Sequence, residues 1–332
     1  MKALILVPFQ PEALQRLRAC VEVTCESWME TRKLYSPEEL AERIQNEGFQ
    51  IVVIEADFVF DEVFENARDL RFVGVCRGAV DHVDVNAATE HGVLVVNTPA
   101  RNATGVAELT IGLMLSLARR IPEAHALVRS GGWIDPVGPY MSLRGLELST
   151  KTVGIVGLGA IGCEVSKRLC AFDMTVLAYD PYVPAERFAL AGAVKVDLNT
   201  LVSEADFITI HCPLTPATAG LIGSEQIARM KPTAFLVNTA GWEIVEENAL
   251  MAALSERRIA GAAFDVYETH PVSADSPLLK LDNVVLTPHI GGATDGTIAR
   301  YSMSITEDIE RFVAGKRPLN LVNPAAWSGH GL

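Results

Sequence analysis

The chain has 332 residues, of which 49% are hydrophobic and 21% are charged, and its formal net charge at pH 7 is −13. This length suits two domains, and the composition is typical of a globular protein rather than a disordered one. The acidic balance argues against nucleic acids and anionic membranes as the main partner, because both require basic surfaces.

The N-terminal stretch MKALILVPFQPEAL has one lysine and a short apolar run, far shorter than the core of a signal peptide. No uninterrupted apolar run approaches the ~18–20 residues of a membrane span. The six cysteines are scattered without a CxxC pair, which argues against a disulfide framework and a structural zinc site. We therefore expect a soluble, cytoplasmic protein without a bound metal.

The first hundred residues alternate between short apolar runs and amphipathic stretches. The apolar runs are typical of buried strands and lie at ALILV (3–7), IVVIEA (51–56), FVGVC (72–76) and VLVVN (93–97). The stretches PEELAERIQ and DVNAATEHG between them are predicted helices. This alternation predicts an α/β fold with parallel sheets covered by helices.

From Asn102 to Arg129 the pattern predicts one long helix that Pro122 bends or divides. Its small and apolar residues extend around much of the circumference, so we expect it to be buried in an interface or between domains. A loop rich in Gly, Pro and aromatic residues, GGWIDPVGPYMSLRG, follows this helix. A new strand, TVGIVG, begins near Lys151.

Directly after that strand, Gly157, Gly159 and Gly162 form G-x-G-x-x-G at the start of a predicted helix. The glycines permit a tight turn, close approach of a pyrophosphate and close helix–strand packing, and the helix N-terminus offers N–H groups to the anion. The alternative is a glycine turn that is only structural. The following strand, MTVLAYD, supports the dinucleotide interpretation.

That strand ends at Asp180, where a carboxylate is suited to the adenosine ribose and would repel a 2′-phosphate. Pro181 and Tyr182 follow with no Arg or Lys beside them, which favours NAD over NADP. The alternative is a solvated carboxylate at a strand end. Strand-like runs continue downstream through ADFITIHCPLTPATAGLIG, TAFLVNTAG, IAGAAFDVYE and NVVLTPHIGG, and TDGTIARYSMSITEDIERFVAG is a second long helix.

With these motifs in order, the chain resembles the D-isomer-specific 2-hydroxyacid dehydrogenases. The segments GAVDHVDVNAATEHGVLVVNTPARNATGVAEL, GIVGLGAIG, HCPLTPATAGLI, LTPHIGGAT and LVNP fall in family order and spacing nearly from end to end. The resemblance implies two doubly wound domains: a Rossmann NAD domain, residues 100–293, inserted into a flavodoxin-like substrate domain, residues 1–99 plus 294–332. It also implies a cleft between them and a homodimer formed through the NAD domains.

Family chemistry moves a hydride between nicotinamide and C2 of a 2-hydroxy or 2-oxo acid. A histidine handles the hydroxyl proton, a glutamate orients it and an arginine holds the substrate carboxylate. The resemblance assigns the histidine role to His289 in TPHIGG. Two departures follow: Gly241 occupies the arginine position in NTAGW, and His270 occupies the glutamate position in YETHP.

The missing arginine leaves the substrate carboxylate without its cation. The family's carboxylate-binding loop matches Gly78 and Ala79, and we hypothesise that neighbouring Arg77 supplies the substitute guanidinium. The alternative is an arginine turned to solvent or to Asp81. We also expect Trp242 to form an apolar or stacking wall for substrate, or else to pack in a core or an interface.

His270 is predicted to orient His289 through a ring hydrogen bond or to act as a second acid/base, with a cleft-edge position as the alternative. The remaining cofactor contacts are carried over from the family by position. The resemblance implies that the amides of Ala160 and Ile161 bind the pyrophosphate and that Cys212 and Pro213 flank the adenine. It further implies that the Ala240 carbonyl and the Asp265 carboxylate hold the nicotinamide carboxamide.

The leading hypothesis is an NAD-dependent dehydrogenase for a longer, polyhydroxy or branched acid, because the usual carboxylate-binding arginine is absent. The alternative is a catalytically degenerate, NAD(H)-responsive regulatory protein. A third explanation is that residues 241, 242 or 270 are engineered substitutions.

Overall fold

A computed structural model describes residues 1–327 of the chain. The chain separates into two compact units: unit 1 comprises residues 1–101 and the chain from residue 294, and unit 2 comprises residues 102–293. Both units are α/β structures with parallel sheets, as the alternating apolar runs predicted. No helix among the described residues is both long and apolar enough to cross a bilayer.

Twelve strands are described, and in chain order they are β1 (Lys2–Ile5), β2 (Glu22–Cys25), β3 (Ile51–Ile54), β4 (Phe72–Val75), β5 (Leu94–Val96), β6 (Thr152–Val156), β7 (Thr175–Tyr179), β8 (Val194–Lys195), β9 (Phe207–Ile210), β10 (Phe235–Asn238), β11 (Gly261–Phe264) and β12 (Val284–Leu286).

The described α-helices are α1 (Pro11–Arg18), α2 (Trp28–Thr31), α3 (Pro37–Glu47), α4 (Asp61–Asn66), α5 (Val85–Glu90), α6 (Ala103–Arg119), α7 (Ile121–Arg129), α8 (Val137–Ser142), α9 (Ala160–Cys170), α10 (Ala185–Ala191), α11 (Leu198–Glu204), α12 (Ser224–Arg229), α13 (Glu247–Ser255), α14 (Asp295–Val313) and α15 (Pro324–Trp327). Short 3₁₀ helices span Trp242–Ile244 and Pro277–Lys280.

Unit 1 is built on a five-stranded sheet in the order β2-β1-β3-β4-β5. This is the strand order of flavodoxin-like folds. The three central strands are buried on both faces, which is why they read as uninterrupted apolar runs. Helix α14 covers one face of the sheet with Tyr301, Ile305 and Ile309, so the second long helix of the sequence belongs to this unit.

Unit 2 is built on a seven-stranded parallel sheet in the order β12-β11-β10-β9-β6-β7-β8. When the strands β6 to β12 are renumbered 1 to 7 and the sheet is read from β8, the order is 3-2-1-4-5-6-7. The first six positions are the Rossmann arrangement. The strand order reverses beside β6, so the glycine turn that follows β6 lies at the edge where doubly wound folds bind ligands. The predicted combination of a flavodoxin-like and a Rossmann fold is confirmed.

The long helix predicted from Asn102 to Arg129 is divided into α6 and α7. Arg120 adopts a left-handed conformation with φ of +50°, and Pro122 lies in the first turn of α7. Helix α6 buries ten residues, whereas α7 buries none. The sequence patterns did not identify β2, which is only partly buried, or α8, which lies in the predicted loop and has no buried residue.

Candidate active site

The turn after β6 contains three glycines with three different surroundings. Gly157 has a φ of +94°, and a Cβ there would lie 2.6 Å from the Cys212 amide nitrogen. A Cβ on Gly162 would lie 2.1 Å from the Gly157 carbonyl oxygen, so strand and helix approach too closely for a side chain. A Cβ on Gly159 would meet none of the described atoms within 4 Å. Of the three, Gly159 is therefore the one that faces open space, as close approach of a phosphate requires.

Helix α9 begins immediately after this open glycine, with Ala160 and Ile161 in its first turn. The N–H groups of a first turn have no carbonyl partner within the helix, and the helix dipole makes this end attractive to anions. The local geometry thus fits the predicted role of these two amides. Contact with a pyrophosphate stays a prediction.

Asp180 connects the end of β7 to the glycine turn. Its Oδ2 accepts a hydrogen bond from the Leu158 amide at 2.8 Å. Its Oδ1 accepts from the amides of Tyr182 at 2.9 Å and Val183 at 3.3 Å. The carboxylate therefore has a structural role that the sequence did not indicate. A ribose bound as predicted would have to donate to the same two oxygens.

A cavity of about 370 Å³ lies at this edge of the unit 2 sheet. Its lining includes Gly157, Gly159, Asp180, Cys212 and Pro213. Five residues that the sequence predicted to contact the cofactor are thus brought together from the ends of three strands. The volume falls within the range of small-molecule sites.

His211 also lines this cavity and was not singled out from the sequence. Its Nε2 lies 2.9 Å from the Thr209 hydroxyl, and its Nδ1 has no hydrogen-bond partner within residues 1–327. Burial lowers the pKa of His211 to about 3, so the ring is neutral at physiological pH. The signal that could have located it is its position directly before Cys212 in HCPLT.

The loop after β10 is shaped by the side chain of Asn238. Its Oδ1 accepts from the amides of Ala240 at 3.0 Å and Gly241 at 3.3 Å, and its Nδ2 donates to the Gly241 carbonyl at 2.8 Å. Gly241 has an extended φ of −161°, and a Cβ there would meet Ile244 Cδ1 at an ordinary 3.4 Å. The backbone therefore does not require glycine at this position, so the missing side chain is not explained by conformation.

Trp242 lies in the apolar core of unit 2, with 7% of its surface exposed. Its ring makes an edge contact with Phe264 at a centroid distance of 5.3 Å and a tilted contact with Tyr267 at 6.4 Å. Its Nε1 is 3.4 Å from Glu247 Oε2, at the long end for a hydrogen bond. This burial corresponds to the core-packing alternative, and it gives no support to the predicted wall for substrate.

Asp265 is buried and holds the loop that carries His289. Its Oδ1 accepts from the Thr287 hydroxyl at 2.6 Å and from the Ile290 amide at 2.8 Å. Its Oδ2 accepts from the Gly291 amide at 2.8 Å. The carboxylate thus organises residues 287–291, and its predicted contact with the nicotinamide carboxamide would come in addition to these bonds.

The rings of His289 and His270 form a close pair. His289 Nδ1 lies 2.9 Å from His270 Nε2, and the ring centroids are 4.8 Å apart. His289 has a left-handed backbone with φ of +56°, which is uncommon for a residue with a side chain. The structure therefore contains the ring contact that was predicted between the two histidines, and both rings are exposed at the edge of unit 2.

In unit 1, Arg77, Gly78 and Ala79 form the loop that follows β4. The Arg77 carbonyl accepts from the Thr98 amide at 2.9 Å, and the Gly78 carbonyl accepts from Asn97 Nδ2 at 2.6 Å. Within residues 1–327, the amides of Gly78 and Ala79 have no hydrogen-bond partner and Arg77 forms no ion pair, including with Asp81. Considering the described residues, the loop thus presents two unpaired amides beside a cation without a counterion.

A sequence profile described as the NAD binding domain of the D-isomer specific 2-hydroxyacid dehydrogenases matches residues 111–291. The match covers the glycine turn, Asp180, the Asn238 loop and the histidine pair, and it lies within unit 2.

The chain is 41% identical over 325 residues to D-3-phosphoglycerate dehydrogenase of Archaeoglobus fulgidus, covering 97% of this chain and 59% of that protein. It is 38% identical over 321 residues to glyoxylate reductase of Thermofilum pendens, covering 93% of this chain and 91% of the relative. The chain thus spans about 59% of the length of the phosphoglycerate dehydrogenase that it matches.

Among solved structures, the TT0316 protein of Thermus thermophilus aligns with a TM-score of 0.84 and 34% identity. The alignment covers 97% of this chain and 100% of that chain.

Proposed function

We propose that this chain, which belongs to the D-isomer specific 2-hydroxyacid dehydrogenase family, moves a hydride between NAD(H) and C2 of a 2-hydroxy or 2-oxo acid. The observation that carries the proposal is the 2.9 Å contact between His289 Nδ1 and His270 Nε2. The open surroundings of Gly159 and the cavity beside Asp180 support an NAD site within unit 2. NAD(H) bound at this site would be the hydride carrier.

The histidine pair can serve either direction of the reaction because the two rings share one proton across their contact. In the direction of hydroxyl oxidation, His289 Nδ1 donates to His270 and the Nε2 lone pair of His289 is the group that accepts the hydroxyl proton, which leaves the pair with one additional proton. In the direction of carbonyl reduction, the pair begins with that additional proton, and the His289 imidazolium delivers it from Nε2 to the carbonyl oxygen and returns to the neutral form. The contact with His270 thus keeps His289 Nε2 as the nitrogen that accepts or delivers the proton in both directions.

The two departures from the family pattern balance each other in charge. Gly241 removes a positive charge and His270 removes a negative one, so the formal charge of the set is the same as in the family pattern. A glutamate at position 270 without an arginine at 241 would place an uncompensated carboxylate where an acidic substrate binds, which is unfavourable. The paired replacement supports a retained reaction with altered substrate recognition.

For the substrate carboxylate we propose Arg77 with the amides of Gly78 and Ala79. The two amides have no partner within residues 1–327 and Arg77 has no counterion there, so all three groups are available to an anion. Without the family's arginine, a longer, polyhydroxy or branched acid remains the proposed substrate class. Alanine at position 77 should raise the KM for that acid, and unchanged KM and kcat would remove Arg77 from the proposal.

A homodimer is also proposed, through an exposed apolar segment of unit 2. Helices α7 and α8 bury no residue, and the segment exposes Trp133, Ile134, Tyr140 and Met141, with Ile134 at 90%. Several large apolar side chains exposed within one short segment are typical of an interaction surface. Ile134→Glu should shift the mass measured by light scattering toward the monomer, and an unchanged mass would contradict this assignment.

The test of the main proposal is NADH oxidation with a panel of 2-oxo acids and sugar-derived oxo acids. We expect turnover of at least one acid and its loss in His289→Asn, since asparagine tolerates a left-handed backbone. Tight NADH binding without turnover of any panel member would favour the second candidate, an NAD(H)-responsive binding protein. The empty arginine position at Gly241 is the observation that favours this alternative.

A further inference from the structure

Tyr267 contacts His270 and is linked to His289 through a shared carbonyl, although no sequence pattern indicated a role for it. Its hydroxyl donates to the Thr287 carbonyl at 2.8 Å. The same carbonyl accepts the backbone amide of His289 at 3.0 Å. On its other side, the Tyr267 ring makes an edge contact with the His270 ring at a centroid distance of 6.1 Å and 65°. One side chain is therefore linked to the backbone of one histidine and to the ring of the other.

The backbone of His289 needs such support. A left-handed conformation is unfavourable for a residue with a Cβ, and it persists only where neighbouring contacts hold it. Asp265 fixes this loop at Thr287, Ile290 and Gly291. The Tyr267 hydroxyl fixes the carbonyl that receives the His289 amide.

Tyr267 is itself held by Trp242. The two rings are in tilted contact at 6.4 Å, and Trp242 rests on Phe264 in the buried core. Rings at these distances and angles attract each other beyond the area that they bury. A continuous column of rings thus leads from Phe264 through Trp242, Tyr267 and His270 to His289. Burial raises the pKa of Tyr267, with a further contribution from Asp265, so its hydroxyl keeps its proton and remains a donor.

We propose that Tyr267 is a positioning residue that sets the geometry of the His270–His289 pair, and that Trp242 in turn positions Tyr267. In this proposal, the tryptophan of NTAGW acts on the histidine pair indirectly, through Tyr267, and does not contact the substrate. The kinetic part of the inference rests on the proposed function, whereas the structural part does not.

The experiment compares the full chain, labelled with ¹⁵N-histidine, as wild type, Tyr267→Phe and Tyr301→Phe. Nitrogen chemical shifts report the tautomer and the hydrogen bond of each imidazole, and the signals are assigned with His289→Asn and His270→Asn. Tyr301 is the matched control because it is a buried tyrosine in unit 1 whose hydroxyl donates to the Pro8 carbonyl at 2.5 Å.

We expect Tyr267→Phe to shift the His289 Nδ1 and His270 Nε2 signals, while Tyr301→Phe leaves them in place. Loss of one hydrogen bond should lower kcat about fivefold, with the KM for the oxo acid and the Kd for NADH unchanged. Wild-type shifts in Tyr267→Phe would overturn the role of Tyr267. If no acid is turned over by the wild type, the proposed function fails, and the nitrogen shifts alone decide the positioning role.

Trp242→Phe tests the second half of the inference, since it keeps an apolar ring but shortens the column. It should shift the same two nitrogen signals by a smaller amount. An unchanged spectrum in Trp242→Phe, with thermal unfolding showing a folded protein, would restrict the column to Tyr267 and overturn the role of Trp242.

Discussion

Two regions of unit 2, here called the nucleotide edge and the histidine edge, differ in the charged side chains that they contain. The nucleotide edge, around the glycine turn and Asp180, keeps a carboxylate that accepts three backbone amides. The histidine edge, around residues 239–242, 270 and 289, has Gly241 and His270 where the family pattern places an arginine and a glutamate. The groups proposed for the adenosine end of the cofactor and those proposed for proton transfer follow different strands, so we expect their chemistry to diverge separately within one sheet.

The first test of this difference between the two edges replaces His289. His289→Asn should lower kcat/KM by about 10²–10⁴-fold, the range of a lost general acid/base, while NADH affinity stays unchanged. Turnover with the panel acids and NADH fluorescence titration measure the two effects. His91→Asn in unit 1 is the control and should resemble wild type. Equal loss of NADH binding in His289→Asn would mean that the two edges are not separable.

The second test compares two glycines of the same turn. Gly162→Ala places a methyl group 2.1 Å from a backbone carbonyl oxygen, so it should lower Tm and weaken NADH binding by about 100-fold or more. Gly159→Ala meets no described atom within 4 Å and has a φ of −73°, so Tm should not change. NADH affinity should nevertheless fall, because the methyl group occupies the space needed by the pyrophosphate.

Calorimetry and NADH titration distinguish these two outcomes. A Gly159→Ala protein with wild-type affinity would show that the open space at this glycine is not used by the cofactor.

The third test restores the family's charges at the histidine edge. His270→Glu alone should lower kcat/KM, because it adds an uncompensated negative charge. Gly241→Arg fits the extended backbone, and the double variant should exceed wild type for small 2-oxo acids such as glyoxylate by about 10- to 100-fold. The two substitutions should be strongly non-additive, since the introduced charges interact. Effects that simply add would contradict the balance of charges proposed for positions 241 and 270.

The smallest effect in this comparison of the two edges is expected at Asp180. Asp180→Asn should weaken NADH binding about tenfold and reduce the preference for NADH over NADPH, because the charge that repels a 2′-phosphate is removed. The amide can keep the Oδ1 bonds to Tyr182 and Val183 but places a donor toward the Leu158 amide. Parallel titrations with both nucleotides provide the measurement, and an unchanged preference would assign selectivity to another residue.

The local features of the fold followed from short sequence patterns. The glycine turn, the strand ending at Asp180 and the division of the helix before Pro122 all depend on residues within a few positions of each other, where backbone sterics dominate. Strand β2 was not found because it is half-exposed and lacks a continuous apolar run.

The site was harder to predict because its contacts join distant residues. The resemblance indicated that His270 orients His289, and the structure has their rings in contact. No sequence pattern showed that Trp242 turns into the core or that Tyr267 shares the Thr287 carbonyl with His289, since both depend on how three loops meet. For the same reason, the sequence did not reveal that Asp265 and Asp180 also accept hydrogen bonds from their neighbouring loops, in addition to their predicted cofactor contacts.

The discontinuous composition of unit 1 has a consequence for biosynthesis. Its five strands are translated before unit 2, but the face of the sheet that receives Tyr301, Ile305 and Ile309 is covered only when α14 leaves the ribosome. All of unit 2 is synthesised before α14. The apolar face of the unit 1 sheet therefore stays exposed to solvent during the synthesis of a complete Rossmann fold. Unit 1 is therefore the part of the nascent chain that most needs protection by a chaperone, and stalled synthesis before residue 295 should yield a folded unit 2 joined to an aggregation-prone sheet.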